Sequence, residues 1–115
     1  MVKHIVLFKL KESLSAAEKA DIMHRFKTAI EALPATIPFI RDIHVGLNEN
    51  AAETWDICLD SSFDTLDDVK AYSIHPAHVA AAGILKEAKE NRACVDPLTF
   101  QPRRTWKRLS IPGKE

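Results

Sequence analysis

The sequence lacks several features that would assign it to a common functional class. It has only two cysteines, Cys58 and Cys94, and these lie far apart in apolar stretches, unlike the close pair of a zinc or redox site. We therefore expect two buried free thiols. It also has no Gly-rich phosphate loop and no G-x-S-x-G element, which argues against nucleotide binding and acyl-enzyme chemistry.

The chain also has no excess of charge of either sign. Lys and Arg together number 16, Asp and Glu together number 16, and the formal net charge is +0. A neutral chain gives no broad attraction for polyanions, so we expect no nucleic-acid or membrane partner. Residues 102–115 are the exception, because basic residues outnumber acidic ones there. We interpret them as a basic C-terminal extension that follows a domain formed by residues 1–101 and adds to a dimer or lies over the partner subunit.

Long apolar runs are absent as well. No window approaches the roughly 20 apolar residues of a membrane span, and the first residues lead directly into a strand pattern without a signal region. We therefore expect a cytoplasmic protein. Its 115 residues suit one domain. A chain this short has little apolar area for both a core and a deep pocket, which favours pairing with a second copy.

The order of the predicted elements indicates an α+β domain. Ser15 and Glu18 form an S-x-x-E capping box at the start of an amphipathic helix. This helix follows a strand over 2–10 and precedes strands over 39–46 and 54–63, a short helix from about 65, a helix over 76–91 and a strand over 93–100. The βαββαβ order predicts a ferredoxin-like fold, with a four-stranded antiparallel sheet and both helices on one face.

The other face of this sheet has no helix to cover it. The first strand is apolar on both sides in its middle, and we assign Val6 and Phe8 to the uncovered face. An exposed apolar patch on this scale usually marks an interface. We therefore expect a homodimer, packed sheet to sheet around Val6 and Phe8, as a dimeric α/β barrel.

Three segments carry a family resemblance: VKHIVLFK at 2–9, YSIHPAHV at 72–79 and CVD at 94–96. Together they resemble the stress-responsive A/B barrel (Dabb) family over about residues 1–101, which implies a dimeric α/β barrel. In polyketide cyclases of that family a histidine is the general base, a tyrosine assists it and an aspartate orients it. The resemblance implies these roles for His78, Tyr72 and Asp96. Pro97 departs from the family pattern, since relatives often carry an aromatic residue there.

The proposed triad is chemically reasonable. Histidine titrates near neutral pH, and a carboxylate on its second nitrogen would fix the tautomer. We therefore predict a direct hydrogen bond between His78 and Asp96 beside Tyr72. An equally weighted alternative is that these two residues only tie a helix start to an edge strand. For Tyr72 the two alternatives are a ring that packs in the core and a hydroxyl that faces a pocket.

Other histidines are weaker candidates. We group His4 and His75 with Val6 and Phe8 as ligand-binding candidates, although His4 also suits sheet packing and His75 is better explained as a residue at a helix entrance. No H-x-x-x-H pair occurs on one helix, so we predict neither a metal site nor a cofactor.

Three functions remain open. The first is a cofactor-free enzyme or binder for a small apolar compound, which needs an open pocket, and the chemistry would be proton transfer of the cyclase type. The second is a stress-related structural or oligomerising protein, in which the same pocket is closed by packing. The third, haem degradation, is weaker, because those enzymes resemble one another in an asparagine on the first strand and residues 2–10 contain none.

Overall fold

A computed structural model describes residues 1–99, which form a four-stranded antiparallel sheet with helices on one face. The strand order is β2-β3-β1-β4, so the ferredoxin-like prediction is confirmed. The strands are β1 (Val2–Leu10), β2 (Asp42–Leu47), β3 (Ile57–Phe63) and β4 (Lys89–Val95), and the helices are α1 (Ala16–Glu31), α2 (Leu66–Ile74) and α3 (Pro76–Ala82). Short 3-10 turns lie at Leu33–Ala35 and Gly83–Leu85.

The first helix begins as its sequence predicts. Ser15 Oγ accepts a hydrogen bond from the Glu18 N–H at 3.1 Å, and the Glu18 carboxylate accepts one from the Ser15 N–H at 2.7 Å. This reciprocal capping satisfies two N–H groups that a helix start leaves free. The helix then buries Phe26 and Ile30. Its position closes one side of the space above the sheet.

The predicted helix over 76–91 is wrong in its second half. The helix α3 ends at Ala82, a 3-10 turn follows, and β4 begins at Lys89. Residues 89–95 pair with β1 through the register that joins Ile5 to Val95. The charged residues of this segment favour a helix locally, but pairing with a central strand outweighs that small propensity. The last strand therefore ends before Pro97, and Leu98 makes only an isolated bridge to Val2.

The two faces of β1 are the reverse of those predicted. Val6 and Phe8 are buried on the helix-covered face, where the Phe8 ring meets Phe26 with centroids 5.5 Å apart. The uncovered face instead carries Ile5 and Leu7. Pairing places three small or apolar residues beside them on that face: Cys58, Ala93 and Val95. The assignment of Val6 and Phe8 to the uncovered face is therefore wrong.

Cys58 is half-buried, but Cys94 is exposed, so the prediction of two buried thiols fails for Cys94. It lies on the edge strand β4. Within residues 1–99 no helix is both long and apolar enough to cross a bilayer. The predicted basic extension over 102–115 lies outside the described residues.

Candidate functional site

A cavity of about 160 Å³ lies between the sheet and the helices. It brings together five of the residues singled out in the sequence, and its remaining walls are mainly apolar. His75 and Asp96 do not line it. The lining residues are His4, Val6, Phe8, Phe26, Leu59, Tyr72, Ser73, His78, Ala82, Leu85, Lys89 and Arg92.

The junction between α2 and α3 positions two of the polar residues. His75 has extended backbone angles, with φ −64° and ψ 134°, and separates the two helices. Its Nδ1 accepts a hydrogen bond from the Ala77 N–H at 3.1 Å, which caps the start of α3. Pro76 fits at the first helical position, where a missing N–H has no consequence. His75 therefore acts here as a capping residue, and the turn it makes places Tyr72 and His78 on the same side.

His78 is held in one tautomer. Its Nδ1 lies 3.0 Å from the carbonyl oxygen of Ser73. A carbonyl can only accept, so Nδ1 must carry the proton and the neutral ring keeps its lone pair on Nε2. Burial lowers the pKa of His78, the Ser73 carbonyl opposes that effect, and nearby His4, Arg92 and His75 lower the pKa further. The side chain is therefore neutral at pH 7 with Nε2 able to accept a proton.

Tyr72 combines a buried ring with an unpartnered hydroxyl. The side chain has no exposed surface, and its ring centroid lies 4.4 Å from that of His78 and 5.1 Å from that of Phe63. Within the described part of the chain, the hydroxyl has no hydrogen-bond partner. Burial raises the pKa of Tyr72, so the group stays protonated and can donate. A buried hydroxyl left unpaired costs about 1–3 kcal/mol, which a suitable ligand would recover.

Asp96 contacts a different histidine from the one predicted. Its carboxylate lies 2.5 Å from Nδ1 of His4, whereas His78 bonds to the Ser73 carbonyl. The predicted hydrogen bond between His78 and Asp96 is therefore wrong. The pairing of Ile5 with Val95 brings Asp96, the residue just after β4, beside His4 on β1. His78 finds its acceptor locally, at the end of the preceding helix.

Three possible metal ligands meet at this edge of the sheet. Donor atoms of His4, Cys94 and Asp96 lie within 4.8 Å of one another, and the Cys94 sulfur is 3.7 Å from His4 Nδ1. These residue types suit zinc. However, the 2.5 Å between His4 Nδ1 and Asp96 is a hydrogen-bond distance. Two ligands on one tetrahedral zinc with bonds of about 2.0 Å would lie about 3.3 Å apart. The arrangement is a hydrogen-bonded pair with a thiol beside it.

The sequence analysis missed two cavity residues, Lys89 and Arg92. Both lie on β4. Lys89 falls in the segment predicted as helix, and Arg92 falls between that segment and the predicted last strand. Lys89 Nζ stands 6.0 Å from the centroid of the Phe8 ring. A strand assigned to residues 89–95 would have placed Arg92 and Cys94 on one face, but only the pairing of Arg92 with Phe8 shows that this face looks into the cavity.

Comparison with known proteins agrees with this architecture. The family model described as Stress responsive A/B Barrel Domain matches residues 2–97. The chain belongs to this family. This Dabb chain is 27% identical over 106 residues to olivetolic acid cyclase from Cannabis sativa, a match covering 90% of this chain and 98% of the cyclase. The family resemblance inferred from the three sequence segments is confirmed.

Two solved structures extend the comparison. A dimeric protein of ferredoxin-like fold from Bacteroides fragilis is 61% identical, with a TM-score of 0.84, over 85% of this chain and 95% of that one. A dimeric ferredoxin-like protein from Thermobifida fusca is 28% identical, with a TM-score of 0.72, over 85% of this chain and 90% of that one. Both share the ferredoxin-like fold of this Dabb chain.

Proposed function

We propose that this Dabb domain binds a small, mostly apolar molecule in its cavity and uses His78 as a cofactor-free general base. The observation that carries the proposal is the fixed tautomer of His78, which leaves a lone pair on Nε2. The His78 ring packs against that of Tyr72, with centroids 4.4 Å apart, and the Tyr72 hydroxyl has no partner among the described residues. A base and a hydrogen-bond donor side by side are what proton abstraction beside a carbonyl group requires. The similarity to a protein named a cyclase supports this class of reaction.

In this mechanism His78 Nε2 removes a proton from the carbon next to a carbonyl group of the ligand. The C–H electron pair moves into the carbonyl, and the Tyr72 hydroxyl donates to the oxygen that becomes negative. The resulting imidazolium then returns its proton to the product. Because burial lowers the pKa of His78, a larger fraction of the base is neutral at pH 7, although each neutral base is somewhat weaker.

His4 and Asp96 are positioning residues in this proposal. The Asp96 carboxylate accepts a hydrogen bond from the Nδ1–H of His4. The His4 ring then meets Tyr72 edge to face, with centroids 5.9 Å apart and planes at 71°. A carboxylate that fixes an imidazole in turn fixes the aromatic ring packed on it. Asp96 therefore acts on the Tyr72 hydroxyl through His4 rather than on His78.

We also propose that the chain works as a homodimer through its uncovered sheet face. Ile5 and Leu7 on β1, with Ala93 and Val95 on β4, form an apolar surface there, and Val95 is 57% exposed. Exposed apolar surface of this kind is typical of an interface. The 61% identical protein from Bacteroides fragilis is described as dimeric, which supports the same assembly here.

Deuterium exchange at carbon tests the catalytic proposal. Acetophenone in D₂O serves as the probe, because its methyl protons lie next to a carbonyl and exchange slowly without a catalyst. We expect exchange above the buffer rate with the native protein, and a loss of about 100-fold or more in the enzymatic rate with His78→Gln. Tyr72→Phe should also reduce it.

The matched control is His24→Gln, since His24 is an exposed histidine on α1 remote from the cavity. This variant should exchange the probe at the native rate. Native exchange no faster than buffer, or equal exchange by the His78→Gln and native proteins, would contradict catalysis by His78. A cavity that excludes the probe would favour the structural, non-enzymatic function instead.

A further inference from the structure

The cavity wall carries an unbalanced positive charge. Lys89 and Arg92 on β4 line it, and among residues 1–99 none that lines it is acidic. Both cations are exposed, so they stand at the mouth of the cavity while the apolar side chains form its floor. The charge is therefore placed where the polar end of a bound molecule would lie.

Neither cation is neutralised by the described part of the protein. Within residues 1–99, no carboxylate lies within salt-bridge distance of Lys89 or Arg92. Most other basic side chains in the same range do have such a partner: Lys3, Lys9, Lys19, Arg25, Lys27 and Arg41. Two unpaired cations at the mouth of one apolar cavity form a favourable site for an anion.

The positive charge of Arg92 also affects His78, the proposed base. Arg92 and His78 both line the cavity, and the charge of Arg92 is one of the causes that lower the pKa of His78. Arg92 also lies opposite Phe8 in the β1–β4 register, on the face that looks into the cavity. Guanidinium groups recognise carboxylates with two parallel hydrogen bonds. An anionic head group beside Arg92 would therefore lie on the same side as the reacting atoms.

We infer that the cavity takes a small monocarboxylate, whose apolar body contacts Phe8, Phe26 and Leu85 and whose carboxylate lies between Arg92 and Lys89. This inference rests on the proposed binding function of the same cavity, but not on catalysis by His78. The volume of about 160 Å³ equals roughly five water molecules at about 30 Å³ each, which sets an upper size near that of a single aromatic ring with one substituent.

Benzoate and benzamide test the charge of the ligand, because they have the same shape and differ in charge. Titration of the full-length protein, followed by calorimetry and by NMR shifts of the histidine rings, should show benzoate binding about tenfold more tightly than benzamide. Arg92→Gln should remove that preference by weakening benzoate and leaving benzamide unchanged. Lys89→Gln should weaken benzoate less.

Lys86→Gln is the matched control, since Lys86 is an exposed cation just before β4 that does not line the cavity. It should leave both affinities unchanged. Equal affinity for the two probes, equal weakening of both by Arg92→Gln, or no binding of either at millimolar concentration would overturn the inference. Binding of both probes equally, with shifts of the His78 ring, would leave the proposed binding site standing. If the protein binds benzoate but does not catalyse deuterium exchange of acetophenone, catalysis alone is overturned.

Discussion

The carboxylate of Asp96, the residue that follows the edge strand β4, lies 2.5 Å from Nδ1 of His4 on the neighbouring strand β1. The His4 side chain is only 8% exposed, whereas that of Asp96 is 32% exposed. The buried ring of His4 contacts Tyr72 edge to face. A carboxylate open to solvent is thus connected, through a buried imidazole, to the tyrosine that lines the cavity.

Replacing Asp96 by alanine should destabilise the fold. Asp96→Ala leaves the buried Nδ1–H of His4 without its acceptor, which costs about 1–3 kcal/mol in the free energy of unfolding. The measurement is urea unfolding followed by circular dichroism. The control is Glu90→Ala, which removes an exposed carboxylate on β4 and for which we expect a change within about 0.5 kcal/mol. Equal stability of the two variants would contradict a structural role for this hydrogen bond.

Tyr72→Phe should separate stability from function. The phenyl ring keeps the buried packing of Tyr72 and removes a hydroxyl that has no partner within the described residues. We expect the free energy of unfolding to stay the same or to rise by up to about 1–3 kcal/mol, while carbon exchange falls. Chemical unfolding and the exchange assay measure the two effects. A clear loss of stability would show that the hydroxyl is already paired in the native protein.

Neighbouring residues on β1 should respond differently to a charge. Leu7→Asp places a carboxylate on the uncovered face and should dissociate the proposed dimer into folded monomers. Phe8→Asp buries a carboxylate against Phe26 and should unfold the monomer itself. Sedimentation velocity and circular dichroism distinguish the two results. Val79→Asp, at a 55% exposed position on α3, is the control and should change neither. A dimer that survives Leu7→Asp would exclude this interface.

His78 should titrate below the value of a free histidine. Burial lowers its pKa from the usual 6.5, so its NMR titration midpoint should fall below that of a histidine peptide. The unfolded chain then binds more protons than the folded one just below pH 6.5, and stability is lost as the pH falls through this window. His78→Gln removes that part of the loss. A midpoint at or above 6.5 would contradict the expected shift.

Arg92 provides a second test of the same titration. Because its charge lowers the pKa of His78, Arg92→Gln should raise the midpoint. Lys70→Gln removes an exposed cation on α2 that does not line the cavity, and serves as the control. An unchanged midpoint in Arg92→Gln would show that the guanidinium does not act on the base.

Local signals predicted much of the fold. The capping box of Ser15 and Glu18 is formed by residues three positions apart, so the sequence alone specifies where α1 begins. The order of elements is likewise a property of the chain, and it was sufficient for the ferredoxin-like topology. The boundary between α3 and β4 was not predictable in this way. Residues 83–91 favour a helix by composition, and only pairing with β1 makes part of this segment a strand.

The candidate site, like the fold, was predicted only in part from the sequence. The sequence by itself identified His4, Tyr72 and His78 as chemically capable groups, through their residue types and the family resemblance. The tertiary structure decided which groups meet: Asp96 pairs with His4, and His78 turns to the Ser73 carbonyl. Alternation along β1 shows that its odd and even residues face opposite sides, but not which side the helices cover. The face that the helices cover is decided by packing between distant segments, since the helices can bury only one face of the sheet. This packing places Val6 and Phe8 in the cavity.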